Sequence, residues 1–197
     1  MSENGTRTLV LDVPRPETLS SNVQVFHYTK AKLIKQLRET AVEVGVKSHA
    51  EDSIEAVKKR IKALDVRNDW QTKKSALSKK LKKQGKTKDE IDAHLEEVIG
   101  DNASYEAVNA IEVPFLYTKA RVRVLIGNTV KRDFDPPNFW PTVKAITDGL
   151  TDCAWWEDDN FNYLTEVSFA YGERSDTKGC YRFQIIIEPV LSDELPA

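Results

Sequence analysis

Four segments of the chain have the hydrophobic pattern of β-strands. They read TLVLDV (8–13), ARVRVLIG (120–127), YLTEVSFAYG (163–172) and YRFQIIIE (181–188). The segment 120–127 alternates between apolar and polar residues, with Val122, Val124 and Ile126 on one face, which predicts a strand that buries one face. The last two segments are joined by the polar stretch GERSDTKG (172–179), which predicts an antiparallel hairpin.

Two further segments have the spacing of apolar residues that is typical of helices. Residues 28–44 carry leucine, alanine and valine at intervals of three and four, and residues 141–150 carry Val143, Ile146 and Leu150 on one face. Pro141 fits the first helical turn, where a backbone N–H is not needed. These elements predict an α+β fold, in which a small mixed β-sheet is combined with two packed helices.

The middle of the chain has the residue pattern of helices rather than of strands. Segments 53–66, 69–84 and 87–100 each have a helical apolar stripe, and Thr87 followed by Glu90 is the signature of a capping box. We therefore expect three helices in an insertion spanning 47–109. The remaining residues, 1–46 and 110–197, are predicted to form one domain, because an insertion is tolerated when its ends lie close together.

Charge is distributed unevenly along the chain, although the net charge is only −2. Residues 28–88 contain 18 Lys and Arg against 7 Asp and Glu, whereas residues 133–197 contain 4 against 13. A basic segment and an acidic segment fit a nucleic-acid surface beside a metal site, and they also fit two solvated surfaces of opposite sign.

Composition also bears on the compartment. No run of about 18 apolar residues occurs, so no membrane-spanning helix is expected. The first residues, MSENGTRTLVLDV, lack the basic and apolar regions of a secretory signal. Cys153 and Cys180 are the two cysteines, and they form neither a zinc motif nor a disulfide framework. We expect a cytoplasmic protein without a membrane partner.

Acidic residues flank the predicted helix 141–150. Asp133 and Asp135 precede it, and Asp158 and Asp159 follow it. Crowded carboxylates need a cation, and hard oxygen ligands of this kind suit Mg²⁺ or Mn²⁺. Such an ion can activate a water for attack on a phosphate, and a nearby lysine can stabilise the developing charge. The alternative is an acidic, solvated turn at each helix end, with or without a structural Ca²⁺.

The order and identity of the residues in this segment favour a catalytic metal site over a solvated turn. Lys144 and Asp148 lie four residues apart and therefore share a face of the helix. KRDFD (131–135), Asn138, Lys144, DGL (148–150) and WEDD (156–159) follow one another in this order. This segment resembles the RusA-type Holliday junction resolvases, in which an R-R-D-x-D-N run leads into a helix with Lys and Asp-Ala/Gly-Leu, followed by W-x-D-D.

The resemblance implies metal-dependent cleavage of four-way DNA junctions by a homodimer. It places catalytic roles on Asp133, Asp135, Lys144 and Asp159, and metal binding on the four aspartates 133, 135, 158 and 159. The chain departs from the family pattern at PPNFW (136–140), so either Asp133 or Asp135 can be the first metal ligand. The DPPN spelling is similar to phage-type relatives. The inserted helices have no counterpart in the family.

Basic residues are the expected DNA contacts. Lys131 and Arg132 adjoin the acidic run, Asn138 belongs to the family motif, and the lysine-rich stretch 73–88 contributes Lys79, Lys80, Lys82 and Lys83. Lysine contacts with phosphates are independent of base sequence. Two alternatives remain open: a catalytically inactive module that binds branched DNA, and an adaptor that works through the inserted helices.

Overall fold

The structure, a computed structural model, describes residues 5–99, 111–130 and 133–190. The chain divides into two compact units. The first combines Met1–Ala50 with Pro114–Ala197, and the second is Glu51–Val113. The sequence pattern predicts an insertion over 47–109, so the second unit begins and ends four residues later than expected.

The first unit contains a four-stranded sheet. Its strands are β1 (Arg7–Pro14), β2 (Ala120–Asn128), β3 (Leu164–Tyr171) and β4 (Cys180–Pro189), arranged in the order β1-β4-β2-β3. β4 is antiparallel to both of its neighbours, whereas β2 and β3 are parallel. The predicted α+β class with a small mixed sheet is confirmed.

The predicted hairpin between the last two strands is wrong. β3 pairs with β2, and β4 lies between β1 and β2. The physical reason is burial: Phe183, Ile185 and Ile187 of β4 are fully buried, whereas the middle of β3 is only partly buried. The more apolar strand therefore takes a central position, and β3 lies at an edge.

Two helices belong to the same unit and pack against each other. They are α1 (His27–Val46) and α4 (Trp140–Asp152). The parallel neighbours β2 and β3 require a crossover connection, and α4 lies in it. The guanidinium of Arg38 on α1 binds both carboxylate oxygens of Asp152 on α4, with 2.6 Å between Nη2 and Oδ1. This bidentate pair fixes the two helices to each other.

The closest approach of the two helices is at Gly149. A Cβ at this position would overlap the carbonyl oxygen of Arg38 and would lie 2.8 Å from the Cβ of Ala41. A side chain larger than hydrogen therefore forces α1 and α4 apart, because a backbone carbonyl cannot move aside as a flexible side chain can.

Gly149→Ala is expected to lower the free energy of unfolding by about 1–3 kcal/mol, the usual cost of overpacking. Alanine favours helix more than glycine does, so the loss comes from packing. Urea denaturation measures it. Gly5→Ala is the matched control, because no atom lies within 4 Å of a Cβ there. A Gly149→Ala variant as stable as the unchanged protein would contradict the close helix contact.

The second unit contains two described helices, α2 (Glu51–Lys83) and α3 (Lys88–Ile99). The prediction of separate helices at 53–66 and 69–84 is wrong, since one helix of 33 residues covers both. The intervening VRND stretch contains neither Gly nor Pro, so nothing interrupts the helical hydrogen bonds. Leu81 of α2 packs with Ile91 and Leu95 of α3.

The turn between α2 and α3 has the predicted capping. Gly85 adopts φ 78°, a left-handed conformation that glycine reaches at little cost. The backbone N–H of Thr87 donates to Glu90 Oε2 at 2.9 Å, and the N–H of Glu90 donates to Thr87 Oγ1 at 3.4 Å. The capping box is therefore confirmed.

The core of the first unit also contains polar and sulfur-bearing side chains. Cys153 and Cys180 are buried and form no disulfide. His49 is buried as well, with Nε2 2.6 Å from the carbonyl oxygen of Cys153, and burial lowers the pKa of this imidazole.

None of the described helices has the length and apolar content that crossing a bilayer requires.

Candidate active site

The helix α4 places two charged side chains on one side of the first unit. Its apolar face buries Val143, Ile146 and Leu150 completely. Lys144 and Asp148 lie on another face, one turn apart and partly exposed. The amphipathic pattern of α4 therefore fixes the orientation of both charges.

A tight turn at the end of α4 sends the chain back along the helix. The N–H of Trp155 donates to the carbonyl of Leu150 at 3.1 Å, and the N–H of Ala154 donates to Thr151 at 3.1 Å. Ala154 adopts φ 60° between them. This is a Schellman arrangement, which normally uses glycine at the left-handed position.

Two tryptophans anchor the returning chain in the core. Trp155 and Trp156 are both fully buried. The indole N–H of Trp155 donates to the carbonyl of Gly45 at 3.1 Å, and that of Trp156 donates to Thr151 Oγ1 at 2.7 Å. The tryptophans hold the acidic residues 157–159 in a fixed position after α4.

The returning chain brings Asp159 to Lys144. The ammonium of Lys144 donates to Asp148 Oδ1 and to Asp159 Oδ2. We refer to Lys144, Asp148 and Asp159 as the Lys144 cluster. The side chains of Asp148 and Asp159 are 24% and 23% exposed, so solvent and ligands reach both carboxylates.

The pKa values of the two carboxyl groups in the Lys144 cluster shift in opposite directions. Burial raises the pKa of Asp148, and contact with Asp159 adds to the rise. Burial acts in the same direction on Asp159, but hydrogen bonds with Lys144 and Asp148 hold the pKa of Asp159 below its usual value. Burial opposes the ammonium form of Lys144, but its two carboxylate partners raise the pKa of Lys144. Asp159 is thus the carboxylate that stays ionised most readily.

Asp158 has a different surrounding from its neighbour. One of its oxygens accepts from the backbone N–H of Asp159 at 2.8 Å, and the other accepts from Asn160 Nδ2 at 2.6 Å. The side chain is exposed. In this arrangement Asp158 organises the loop that presents Asp159.

Asp133 and Asp135 lie beside a cavity of about 560 Å³ in the first unit. Phe134 between them is inserted among aromatic rings, with its centroid 5.1 Å from Tyr171, and its carbonyl accepts from the Tyr171 hydroxyl. Both aspartates are exposed. Asn138 lines the same cavity, and its Nδ2 lies 3.4 Å from Asp135 Oδ2.

The structure therefore forms two groups from the predicted site residues. Asp159 joins Lys144, and Asp133, Asp135 and Asn138 line the cavity. Within residues 5–99, 111–130 and 133–190, no group of three or more His, Cys, Asp or Glu side chains is arranged to hold a metal ion. The ammonium of Lys144 supplies the positive charge between Asp148 and Asp159.

The predicted DNA contacts fall in three places. Lys131 and Arg132 lie outside the described residues. Asn138 lies at the cavity of the first unit. Four lysines are exposed near the C-terminal end of α2 in the second unit: Lys79, Lys80, Lys82 and Lys83.

Sequence reasoning did not propose Asp148 or Arg38 as site residues. The sequence signals for Asp148 are its four-residue spacing from Lys144 and its place in the DGL motif (148–150). Arg38 lies more than 100 residues away in the chain, and its pKa is raised first by Asp152 and also by the charges of Asp148 and Asp159. No local pattern indicates such a long-range partner.

Comparison of the chain with protein-family models, with curated proteins and with solved structures finds no match. The motifs of the chain and the geometry of these two groups are therefore the indications of its function.

Proposed function

We propose that this protein is a RusA-like, metal-dependent endodeoxyribonuclease that cleaves Holliday junctions or related branched DNA in recombination and repair. The observation that carries the proposal is the Lys144 cluster. Lys144 and Asp148 come from the K-x₃-DGL motif and Asp159 comes from the WEDD motif, and they meet at one ammonium group. The two motifs that carry the resemblance are thus adjacent in space.

The oxygen donors of the Lys144 cluster are chemically suited to Mg²⁺ or Mn²⁺. Mg²⁺ takes only one or two carboxylates from a protein and completes its shell with water and substrate phosphates. Asp159 supplies an accessible, ionised carboxylate. Asp133, Asp135 and Asp158 are the further oxygen donors that the resemblance implies, although the described side chains are not gathered into one group of three ligands. When bound, such an ion polarises the phosphate and lowers the pKa of a water.

The side chains of the Lys144 cluster have separable roles in this proposal. Asp148 holds Lys144 from within the helix, so that the ammonium has a fixed position. Lys144 orients the carboxylate of Asp159 and, with its raised pKa, stays protonated as a donor to a phosphate oxygen. Arg38, paired with Asp152, fixes α1 against α4 and so supports the position of the cluster.

The proposal includes the partners and the setting of the enzyme. Exposed lysines on α2 supply contacts with DNA phosphates, which do not depend on base sequence. The resemblance implies a homodimer, a phage-like variant of the family and a cytoplasmic enzyme. Two buried, unpaired cysteines are compatible with a reducing cytosol.

A second function has one observation in its favour. The described residues include no cluster of three carboxylates or other metal ligands. An inactive module that binds branched DNA on a nuclease scaffold requires none. An adaptor working through the second unit is the remaining alternative.

One assay separates these functions. A labelled synthetic four-way junction and a linear duplex of the same sequence are incubated with the protein in Mg²⁺, Mn²⁺ or EDTA. The enzyme is expected to make paired nicks in the junction only, and only with metal. Tight junction binding without nicks in either metal identifies the inactive module. A protein that neither binds nor cuts directs attention to the second unit.

A further inference from the structure

The cavity beside Asp133 and Asp135 is also lined by a positively charged side chain, Arg15, to which the proposed mechanism assigns no role. The guanidinium of Arg15 lines this cavity together with hydroxyl and amide groups. Those groups belong to Thr18, Ser20 and Asn22 in the segment after β1. All of these residues belong to the first unit.

Neutral groups hold Arg15 in place. Its Nη2 donates to the side-chain oxygen of Asn128 and lies 3.4 Å from Thr129 Oγ1. The guanidinium carbon lies 5.5 Å from the centre of the Tyr181 ring. Backbone contact adds to this, because the N–H of Arg15 donates to the carbonyl of Gly179 at 2.9 Å. The side chain therefore has one defined position before any ligand arrives.

Arg15 forms no salt bridge within the described part of the chain, although the carboxylates of Asp133 and Asp135 line the same cavity. Its Nε is buried and has no hydrogen-bond acceptor among the described residues. The guanidinium is therefore held in the cavity wall without a directly bound carboxylate, and an anion in the cavity would supply one charged partner for its terminal N–H groups.

A phosphodiester matches this environment. The planar fork of arginine binds two oxygens of a phosphate at once. Serine, threonine and asparagine side chains are common neutral partners of DNA phosphates. Thr18, Ser20 and Asn22 are among the side chains of this kind that line the cavity with Arg15.

We propose that Arg15 binds a backbone phosphate of the branched DNA in the cavity that Asp133 and Asp135 also line. This inference rests on the proposed function for the identity of the substrate. Arg15 is then a positioning residue: it fixes the strand relative to the two carboxylates without taking part in the chemistry. Neither the acidic motifs nor the lysine-rich helix assigns this role.

The test measures junction binding in EDTA, so that cleavage does not contribute. The dissociation constant of the four-way junction is determined over a series of NaCl concentrations for the unchanged protein, Arg15→Gln and Arg15→Lys. Arg15→Gln is expected to bind about tenfold more weakly. The slope of log K against log [NaCl] is expected to fall by about one. Arg15→Lys keeps the charge and loses the fork, so it is expected to keep the slope and bind with intermediate affinity.

Arg182→Gln is the matched control. It removes the same charge from the same unit, but Arg182 is already neutralised by Asp12 at 3.1 Å and by Asp176 at 3.0 Å. Its salt slope is expected to equal that of the unchanged protein. Urea denaturation of each variant verifies that the protein tested is folded.

Three results overturn the inference. One is an unchanged affinity and slope in folded Arg15→Gln. Another is an equal loss in Arg182→Gln, and the third is a folded Arg15→Lys that loses the salt slope. The junction cleavage assay tests the proposed function separately. A protein that binds the junction through Arg15 but never cuts it would support the Arg15 site and contradict the nuclease function. A protein that binds no DNA would contradict both proposals.

Discussion

Asp159→Asn is expected to reduce metal-dependent cleavage of a four-way junction by roughly a thousandfold or more, while folding and junction binding are retained. Asparagine has nearly the same shape and lacks the negative charge. The change removes an ionised metal donor and the carboxylate that Lys144 binds from across the turn. Metal activation and a single electrostatic contact each contribute several kcal/mol to such reactions, and each 1.4 kcal/mol is a factor of about ten in rate.

Three measurements define the result for Asp159→Asn: the single-turnover cleavage rate in Mg²⁺, the dissociation constant for the junction in EDTA, and the free energy of unfolding. Asp176→Asn is the matched control, since Asp176 is an exposed carboxylate paired only with Arg182 among the described residues. Its cleavage rate is expected to stay within about twofold of the unchanged protein. Normal cleavage by Asp159→Asn would remove the proposed mechanism.

Lys144→Met is expected to lower cleavage by about a hundredfold and to make stability fall as pH rises. Methionine keeps the aliphatic stem and removes the ammonium from between Asp148 and Asp159. The two facing carboxylates then retain a proton in the folded state at a pH at which the unfolded chain releases it. The folded state therefore binds more protons, and the free energy of unfolding decreases as pH rises above the usual pKa of an aspartate, about 4.

A double variant separates the two effects of Lys144. Lys144→Met with Asp148→Asn has one carboxylate left, so its pH-dependent loss of stability is expected to disappear while cleavage stays low. Lys35→Met is the matched control, because Lys35 is highly exposed and pairs with Glu39 at 3.7 Å on α1. A Lys144→Met protein with normal cleavage and no change in pH dependence would show that the cluster is only a surface ion pair.

The strands and the helix of the site were predictable from local pattern. Alternation in 120–127 marks β2, and the apolar, β-branched run in 181–188 marks β4. The partners of the strands were not predictable in the same way. A polar loop between β3 and β4 favours a hairpin, yet the greater burial of β4 places it between β1 and β2. Strand order depends on the total apolar area buried, which no local segment contains.

The candidate site was predictable only where its residues share an element or a motif. Lys144 and Asp148 follow from helical spacing, and Asp159 follows from the WEDD stretch. The contributions of Arg38 and Arg15 depend on tertiary contacts with Asp152 and Asn128, each more than 100 residues away. Sequence reasoning also grouped Asp133 and Asp135 with Asp159; in the structure the two aspartates line the cavity that contains Arg15 and Asn138.

The position of β4 has a consequence for the order in which the chain folds. β4 is the last described strand, and it joins β1 to the rest of the sheet, with Ile187 opposite Arg7. During synthesis, β1 and β2 therefore remain without their shared partner until β4 has left the ribosome. The contacts of Leu81 with Ile91 and Leu95 between α2 and α3 are local and can form much earlier, since contact order governs folding rate. In a newly made chain, the hairpin of α2 and α3 is therefore expected to form while β1 and β2 still lack their shared partner β4.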